Sequence, residues 1–363
     1  MKYLSIKYCS LLTSILLFLG GCIDPFETSV EQGEKRVVVQ GRITSEDGPY
    51  SVILTNSGNY SSSIEGISTY ISGASVCIYD DQDNCIELYE SESGRYYTID
   101  DNFQGKIGNS YYLEIILPEG EIIRSETEKM LQPPPINRAY YEYISGDEIK
   151  KEGFYVYIDT QEPGDERNYY KWETISWWLY SWDPCWHRVP DFEPFNILSD
   201  ENINGNLIAG RLVKIVPYSG TMPYVVTIHQ IGLSERAFRY IEGVNAQINL
   251  SGSIFDPPPT FLKGNLYKVD DEEEIVLGYF YVGGISTIEI AIDRTIPETS
   301  PRPGDNILPK PLYCGDPCDI LCATLGGGIC GEEPCPPECN EIPNITYKSP
   351  DTWPIHIQHC DDE

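Results

Sequence analysis

From Arg36 to Met130 apolar and polar residues alternate with period two, in short runs broken by turn residues. The runs are "RVVVQGRIT", "YSVILTN", "ASVCIYD", "CIELYES", "RYYTID" and "SYYLEIILPEGEIIRSE", the last turning on itself at Pro118 to Gly120. Such alternation turns one face of each strand to a core and the other to water. Seven or so short strands at this spacing predict a β-sandwich over residues 35–131. "QPPPIN" (Gln132 to Asn137) follows, a stiff segment that lacks amide donors and favours extended geometry, so a domain boundary is expected there. The next stretch, 132–298, is again strand-rich, with "AYYEYI", "GFYVYIDT", "NLIAGRLVKIVPY", "PYVVTIHQI" and "IVLGYFYVGGISTIEIAID". One helix interrupts it near 234–249: Ser234 can cap its start, and Ala237, Ile241, Val244 and Ile248 recur at helical spacing. The expected fold is mainly β, two β-rich domains with one helix, ending in a Cys/Pro-rich tail over 299–363.

The densest apolar stretch is Tyr169 to Arg188, "YYKWETISWWLYSWDPCWHR", which holds five of the six tryptophans. Counting by two, Tyr170, Trp172, Trp178, Tyr180 and Trp182 share a strand face with Thr174 and Ser176. The other face, with Lys171, Glu173, Ile175, Trp177 and Leu179, is mixed. An aromatic face of this kind packs a core, since each buried ring removes about 150–250 Å² from water. Beyond Tyr180 the strand breaks into "SWDPCWHRVPDF", and Trp182, Trp186 and His187 are expected on a loop as a contact surface for a ligand or protein.

The first residues change the picture. Lys2 and Lys7, the apolar run "LLTSILLFL" and then "LGGC" have the layout of a cleaved export signal over 1–21. The apolar run is shorter than the roughly 20 residues a membrane-spanning helix needs. "LGGC" resembles the bacterial lipobox, which implies that Cys22 becomes the lipidated N-terminus, followed by a linker over 22–34. Acyl chains anchor such a protein durably, at about 0.8 kcal/mol per buried methylene. Losing the two lysines takes the formal charge from −31 to −33, and no basic patch is visible, which excludes nucleic acid as a partner. The acidic run "DDEEE" (Asp270 to Glu274) reads as a solvated loop.

Cysteine usage agrees with export. Setting aside Cys9 and Cys22, ten of the twelve remain, an even number suited to disulfides in an oxidising compartment. Cys77 and Cys85 flank "IYDDQDN", a hairpin turn, so they can bridge adjacent strands. Cys185 joins the seven tail cysteines, Cys314, Cys318, Cys322, Cys330, Cys335, Cys339 and Cys360, as candidates for four bridges. The tail also carries "HIQHC" (His356 to Cys360), ligands that suit zinc or copper. The spacing lacks the close knuckle of most zinc sites, and the exported compartment favours disulfides over metal.

"CIDPF" after the lipobox, "VVVQGRIT", "GPYSVILT" and "GASVCIYD" resemble a family of uncharacterised outer-membrane lipoproteins from the Bacteroidota. More specific are "YYKWE", "HQIGLSERAFRYIE", "GSIFDPPPTFLKGNL" followed by "VLGYFYVGG", and "PDTWP" near the end. The longer cysteine-rich insertion near the C-terminus departs from that pattern. The segment around Gly73 to Tyr97 also resembles transthyretin-like or carboxypeptidase-regulatory-like modules of secreted bacterial proteins, which implies a transthyretin- or immunoglobulin-like β-sandwich. The family resemblance implies a surface accessory to a TonB-dependent transporter, helping to capture or deliver a nutrient. It supplies no catalytic residues.

The residues themselves point the same way. No nucleophile elbow, zincin motif or phosphate-cradling loop is present. Of the four histidines, His229 in "VVTIHQI" alternates with strand apolars as a structural residue would. The sequence therefore predicts a non-catalytic protein without cofactor or resident metal. A structural or adhesive lipoprotein is the alternative from a different class, and a metal-handling or hydrolytic protein is a third.

Overall fold

The computed structural model of the chain describes residues 35–57, 69–100, 103–147, 150–164, 167–180, 183–191, 196–201, 203, 205–218, 224–249, 262–271, 273–292 and 345–346. The expected signal segment, Cys22, Trp182, His356, His359 and the seven tail cysteines lie outside the described residues.

In chain order the strands are β1 (Val37–Thr44), β2 (Ser51–Asn56), β3 (Thr69–Tyr70), β4 (Ser75–Asp80), β5 (Cys85–Glu92), β6 (Arg95–Thr98), β7 (Ser110–Ile116), β8 (Ile122–Ser125) and β9 (Glu128–Lys129). Then come β10 (Ile136–Ile144), β11 (Gly153–Gln161), β12 (Tyr169–Tyr180), β13 (Asp183–Asp191), β14 (Ile197–Ser199), β15 (Leu207–Pro217) and β16 (Tyr224–Leu233). Helix α1 (Glu235–Ile248) precedes β17 (Leu266–Lys268), β18 (Leu277–Gly283), β19 (Ile285–Ile292) and β20 (Ile345–Thr346). The chain is mainly β.

The first sheet has eleven strands and runs β17-β8-β7-β4-β5-β6-β2-β1-β18, with β3 on β2 and β9 on β7. Alternation drives it. In β7, Tyr111, Leu113 and Ile115 turn inward while Tyr112 and Glu114 face out. The inward residues join Val39, Ile43, Leu54, Ile78, Ile123 and Phe280 in a single core. Each such aliphatic side chain contributes about 1.5–3 kcal/mol by leaving water. The Cys77–Cys85 disulfide crosses the β4–β5 hairpin diagonally, between the pairs Cys77–Glu87 and Tyr79–Cys85, with Cα atoms 5.8 Å apart. Asp80 closes that turn by accepting from the Gln82 and Asn84 amides, both at 2.9 Å.

One sheet folds over this core because its two end strands meet. Asn265, 1% exposed, donates from Nδ2 to the Phe280 carbonyl at 2.7 Å and accepts the Phe280 amide on Oδ1 at 3.0 Å. Its amide group therefore does for β18 what a neighbouring strand's backbone would.

The second part is two sheets face to face, β10-β11-β15 and β19-β16-β12-β13-β20, with β14 on β12. Phe154, Val156 and Ile158 from β11 meet Tyr170, Trp172, Val226, Ile228 and Ile292 from the six-stranded sheet. Helix α1 starts at Ser234, whose hydroxyl accepts the Ala237 amide at 3.1 Å. Ala237, Phe238 and Ile241 pack against Tyr169, Ile231, Leu233 and Tyr279, whereas Ile248, expected on the same apolar face, is exposed.

The domain boundaries differ from the expectation in one respect. The chain does leave the first sheet near Gln132, but residues 266–283, expected in the second domain, return to the first as β17 and β18. "IVLGYFYVGGISTIEIAID" is two strands in two different sheets, split at Gly283 and Gly284. A Cβ on Gly284 would lie 2.4 Å from the Leu131 carbonyl, so the two crossings between the sheets run side by side. The Gly284 amide donates to Leu131 and its carbonyl accepts from the Gly232 amide, both at 3.0 Å.

Candidate functional site: the charged seam between the sheets

The outer face of the six-stranded sheet is set by register. Glu173 pairs with His229, and His229 with Thr287, placing these three in one row across β12, β16 and β19. This row meets the outer face of β1 and β18, where Arg42 pairs with Tyr281. The opposite face of β12 carries the buried Tyr170, Trp172, Thr174 and Ser176. The mixed face of the aromatic strand is thus the face turned to the first sheet.

Glu173 sits at the centre. Its Oε2 is 2.5 Å from Arg42 Nη1 and its Oε1 is 2.6 Å from Lys171 Nζ. Arg42 also donates to the Tyr281 hydroxyl at 3.0 Å, and the Lys171 ammonium lies 5.3 Å from the Tyr281 ring centre. Burial alone would raise the Glu173 carboxyl, but Arg42 and Lys171 outweigh it and hold the group at about 2. Burial likewise opposes the charge on Lys171, and Tyr281 and Glu173 nevertheless lift it above its ordinary value.

A second pair extends the row. His229 Nδ1 lies 3.0 Å from Glu46 Oε2, and the Thr287 hydroxyl donates to Glu46 Oε1 at 2.6 Å. Burial would raise the Glu46 carboxyl, but the His229 ring, the Thr287 hydroxyl and Arg42 together lower it. His229 Nε2 is enclosed and meets no hydrogen-bond partner among the described residues. A histidine oriented by a carboxylate is half of a nucleophile-activating arrangement. Here the nitrogen that would face a nucleophile is closed off, and the Thr287 hydroxyl is engaged with the carboxylate instead. The arrangement locks two sheets together.

Glu173→Gln should destabilise the protein by about 1–2 kcal/mol at pH 7, a value reduced because Arg42 is 45% exposed and partly screened by water. An unfolded glutamate titrates near about 4.3, well above the folded group. The stabilisation is therefore complete above roughly pH 5 and is lost as pH falls towards the folded value. Urea unfolding of both proteins across this range should show their difference shrinking below about pH 4. A difference that does not change with pH would show that the seam charge contributes nothing.

The aromatic stretch divides as expected only in its first half. Tyr170 and Trp172 are each 1% exposed and belong to the core. Trp186 and His187, expected on a loop, are instead strand residues of β13, where His187 pairs with Trp178. β13 carries Pro184 and Pro190; among the described residues its far side is paired by the two residues of β20, and proline is tolerated on such an edge. Cys185 also lies in β13, and its side chain, like those of Trp186 and His187, is outside the described residues. Among the described residues of the acidic run, Asp270, Asp271, Glu273 and Glu274 are exposed, with Lys268 holding Glu274 at 2.6 Å.

Sequence reasoning did not single out Arg42, Glu46 or Tyr281. Arg42 and Tyr281 look like outward residues of ordinary strands and Glu46 like a turn residue after β1, and only the mixed composition opposite the aromatic face of β12 hinted at a second buried surface.

A family model described as "Domain of unknown function (DUF4249)" matches residues 23–289, well over half of the chain. The chain belongs to the DUF4249 family. The DUF4249 match begins one residue after Cys22 and ends within β19, so it takes in every strand from β1 to β18 and all the seam residues named above. The cysteine-rich tail lies beyond it. A comparison with curated proteins found no match.

Proposed function

We propose that this DUF4249 protein is an outer-membrane lipoprotein, anchored through Cys22, that serves as a non-catalytic accessory to a TonB-dependent transporter and helps to capture or deliver a nutrient. The observation that carries the reading is the seam. Arg42, Lys171 and Glu173 are committed to one another, and Glu46 is committed to His229 and Thr287. Groups spent in this way hold two β-rich bodies in fixed relation and leave their outer surfaces to make contacts. The sequence resemblance to lipoproteins of the Bacteroidota supports the transporter as partner. In this reading the contact surface is formed by Trp182, Trp186 and His187.

The test is a tagged pull-down from native outer membranes in mild detergent, with bound proteins identified by mass spectrometry. A TonB-dependent transporter should be recovered in near-stoichiometric amount, and Cys22→Ser should release the protein from the membrane. Recovery of the lipoprotein alone, or with matrix proteins only, would overturn the accessory role in favour of a structural or adhesive one.

A further inference from the structure

The first sheet turns a row of tyrosines to water. In β2, Val52 and Leu54 are fully buried, so Ser51, Ile53 and Thr55 face out. Register carries this outward face across the neighbouring strands. Thr55 pairs with Tyr70 of β3, Ile53 with Arg95 and Ser51 with Tyr97 of β6, and Tyr97 with Tyr89 of β5. The Tyr89 and Tyr97 ring centres are 6.5 Å apart, and the Arg95 guanidinium lies 5.7 Å from the centre of the Tyr70 ring. Tyr70 and Tyr89 are 48% and 49% exposed, and Ile99, two residues beyond Tyr97, is 63% exposed. Apolar residues scattered singly over a surface need no explanation, but a contiguous group marks a contact. The Tyr89 and Tyr97 rings are tilted by 41° on an open sheet face, which gives a small ligand no enclosure.

The route of the chain identifies the partner. The Arg36 amide donates to Ser57 Oγ at 3.0 Å, and the Arg36 carbonyl accepts the Ser57 amide at 2.7 Å. The chain therefore enters the fold at the end of β2 that also pairs with Tyr70. Thirteen residues, Ile23 to Lys35, separate Cys22 from that point. A flexible segment of this length spans about 20 Å. A folded chain of this size has a radius of gyration of about 20 Å, so the tether is no longer than the body it holds. A lipid on Cys22 keeps the Tyr70 end of the first sheet close to the bilayer.

Tyrosine suits that boundary, because its ring is apolar and its hydroxyl stays wet. The Arg95 guanidinium among the rings matches a headgroup phosphate. The contact can be weak and still persist, since a short tether raises the effective concentration of the face to the millimolar range.

We propose that the outward face of β3, β5 and β6, with Tyr70, Tyr89, Tyr97 and Arg95, rests on the lipid surface to which Cys22 is anchored. This inference depends on the lipoprotein reading given above.

The test is hydroxyl-radical footprinting with mass spectrometry. It compares the mature lipidated protein on vesicles of phosphatidylethanolamine and phosphatidylglycerol with the Cys22→Ser protein in solution. Tyr70, Tyr89 and Ile99 should lose most of their reactivity on the vesicles. Ile107 and Leu131 should keep theirs: they adjoin Gly284, next to the Gly283–Thr44 pair at the opposite end of β1. In a lipidated Tyr70→Ser, Tyr89→Ser double variant, Ile99 should regain its solution reactivity, and both substitutions are at exposed positions that the core does not need. Flotation separates the two ways of failing. A lipidated protein that floats with the vesicles yet keeps all three residues reactive would overturn this inference alone. A mature protein that does not float would overturn the lipoprotein reading with it. Protection in native outer membranes but not on lipid vesicles would also overturn the inference and assign the face to a protein partner. Protection of Cys22→Ser in solution that disappears on dilution would assign it to a second copy of the chain.

Discussion

Gly278→Ala is expected to prevent the first sheet from closing. Gly278 has φ at +97°, and a Cβ built there lies 1.8 Å from the Val39 carbonyl oxygen. That oxygen belongs to the strand with which Gly278 pairs in register. No side-chain rotation relieves a contact between Cβ and backbone, so β1 and β18 would have to separate. The conformation alone costs about 1–3 kcal/mol for a residue other than glycine. Parting the strands also disturbs Asn265, whose hold on Phe280 lies two residues on, and buried polar groups left unpaired cost about 1–3 kcal/mol each. The total exceeds roughly 4 kcal/mol, enough to remove most of the stability of an ordinary domain. Gly120→Ala is the control. Its φ is +91°, but nothing lies within 4 Å of the added carbon, so it isolates the cost of conformation. Soluble yield and urea midpoints of the two variants should differ sharply. Equal, small losses in both would mean that β1 and β18 are not held as closely as described.

Trp172→Ala should be nearly as costly, by a different route. The ring is 1% exposed, with the Arg211 guanidinium 4.9 Å from its centre and Tyr170 at 6.0 Å. Truncating a buried tryptophan costs about 3–5 kcal/mol through lost burial and the cavity left behind. The indole N–H also donates to Gln230 Oε1 at 2.9 Å. Gln230 is fully buried, takes a further bond from Thr160 at 3.2 Å and donates to the Pro134 carbonyl at 2.7 Å. The loss should therefore reach the proline crossing between the sheets. Far-UV circular dichroism during urea unfolding, which does not depend on the removed fluorophore, measures it. Trp172→Phe should recover part of the packing but not the hydrogen bond. A loss below about 1 kcal/mol for the alanine variant would mean that Trp172 is not a core residue.

Much of this architecture was legible because it is local. Period-two alternation marks β1, β2 and β7, since a strand exposes alternate residues whatever it pairs with. Ser234 announces α1 because its capping bond reaches only to Ala237. The Cys77–Cys85 bridge follows from a tight turn, which brings two nearby residues within reach. The even-numbered face of β12 predicted a core, and Tyr170 and Trp172 form one.

Partner choice was not legible, because an apolar alternating run carries no address. "VLGYFYVGGISTIEIAI" has the same character on either side of its two glycines, yet β18 pairs with β1 while β19 pairs with β16. The seam is assembled from positions as far apart as Arg42 and Tyr281, 239 residues distant, and each alone resembles a surface residue. Asn265 and Gln230 read as polar and exposed for the same reason. Their burial is possible only where folding delivers the groups that satisfy them. Strand content, the helix and its cap, the hairpin disulfide and the strong negative charge could be read from the chain alone, because each depends on composition or near neighbours. The exchange of β17 and β18 into the first sheet and the charged seam were decided only in three dimensions. There, hydrogen bonding and charge compensation depend on residues that chain order keeps apart.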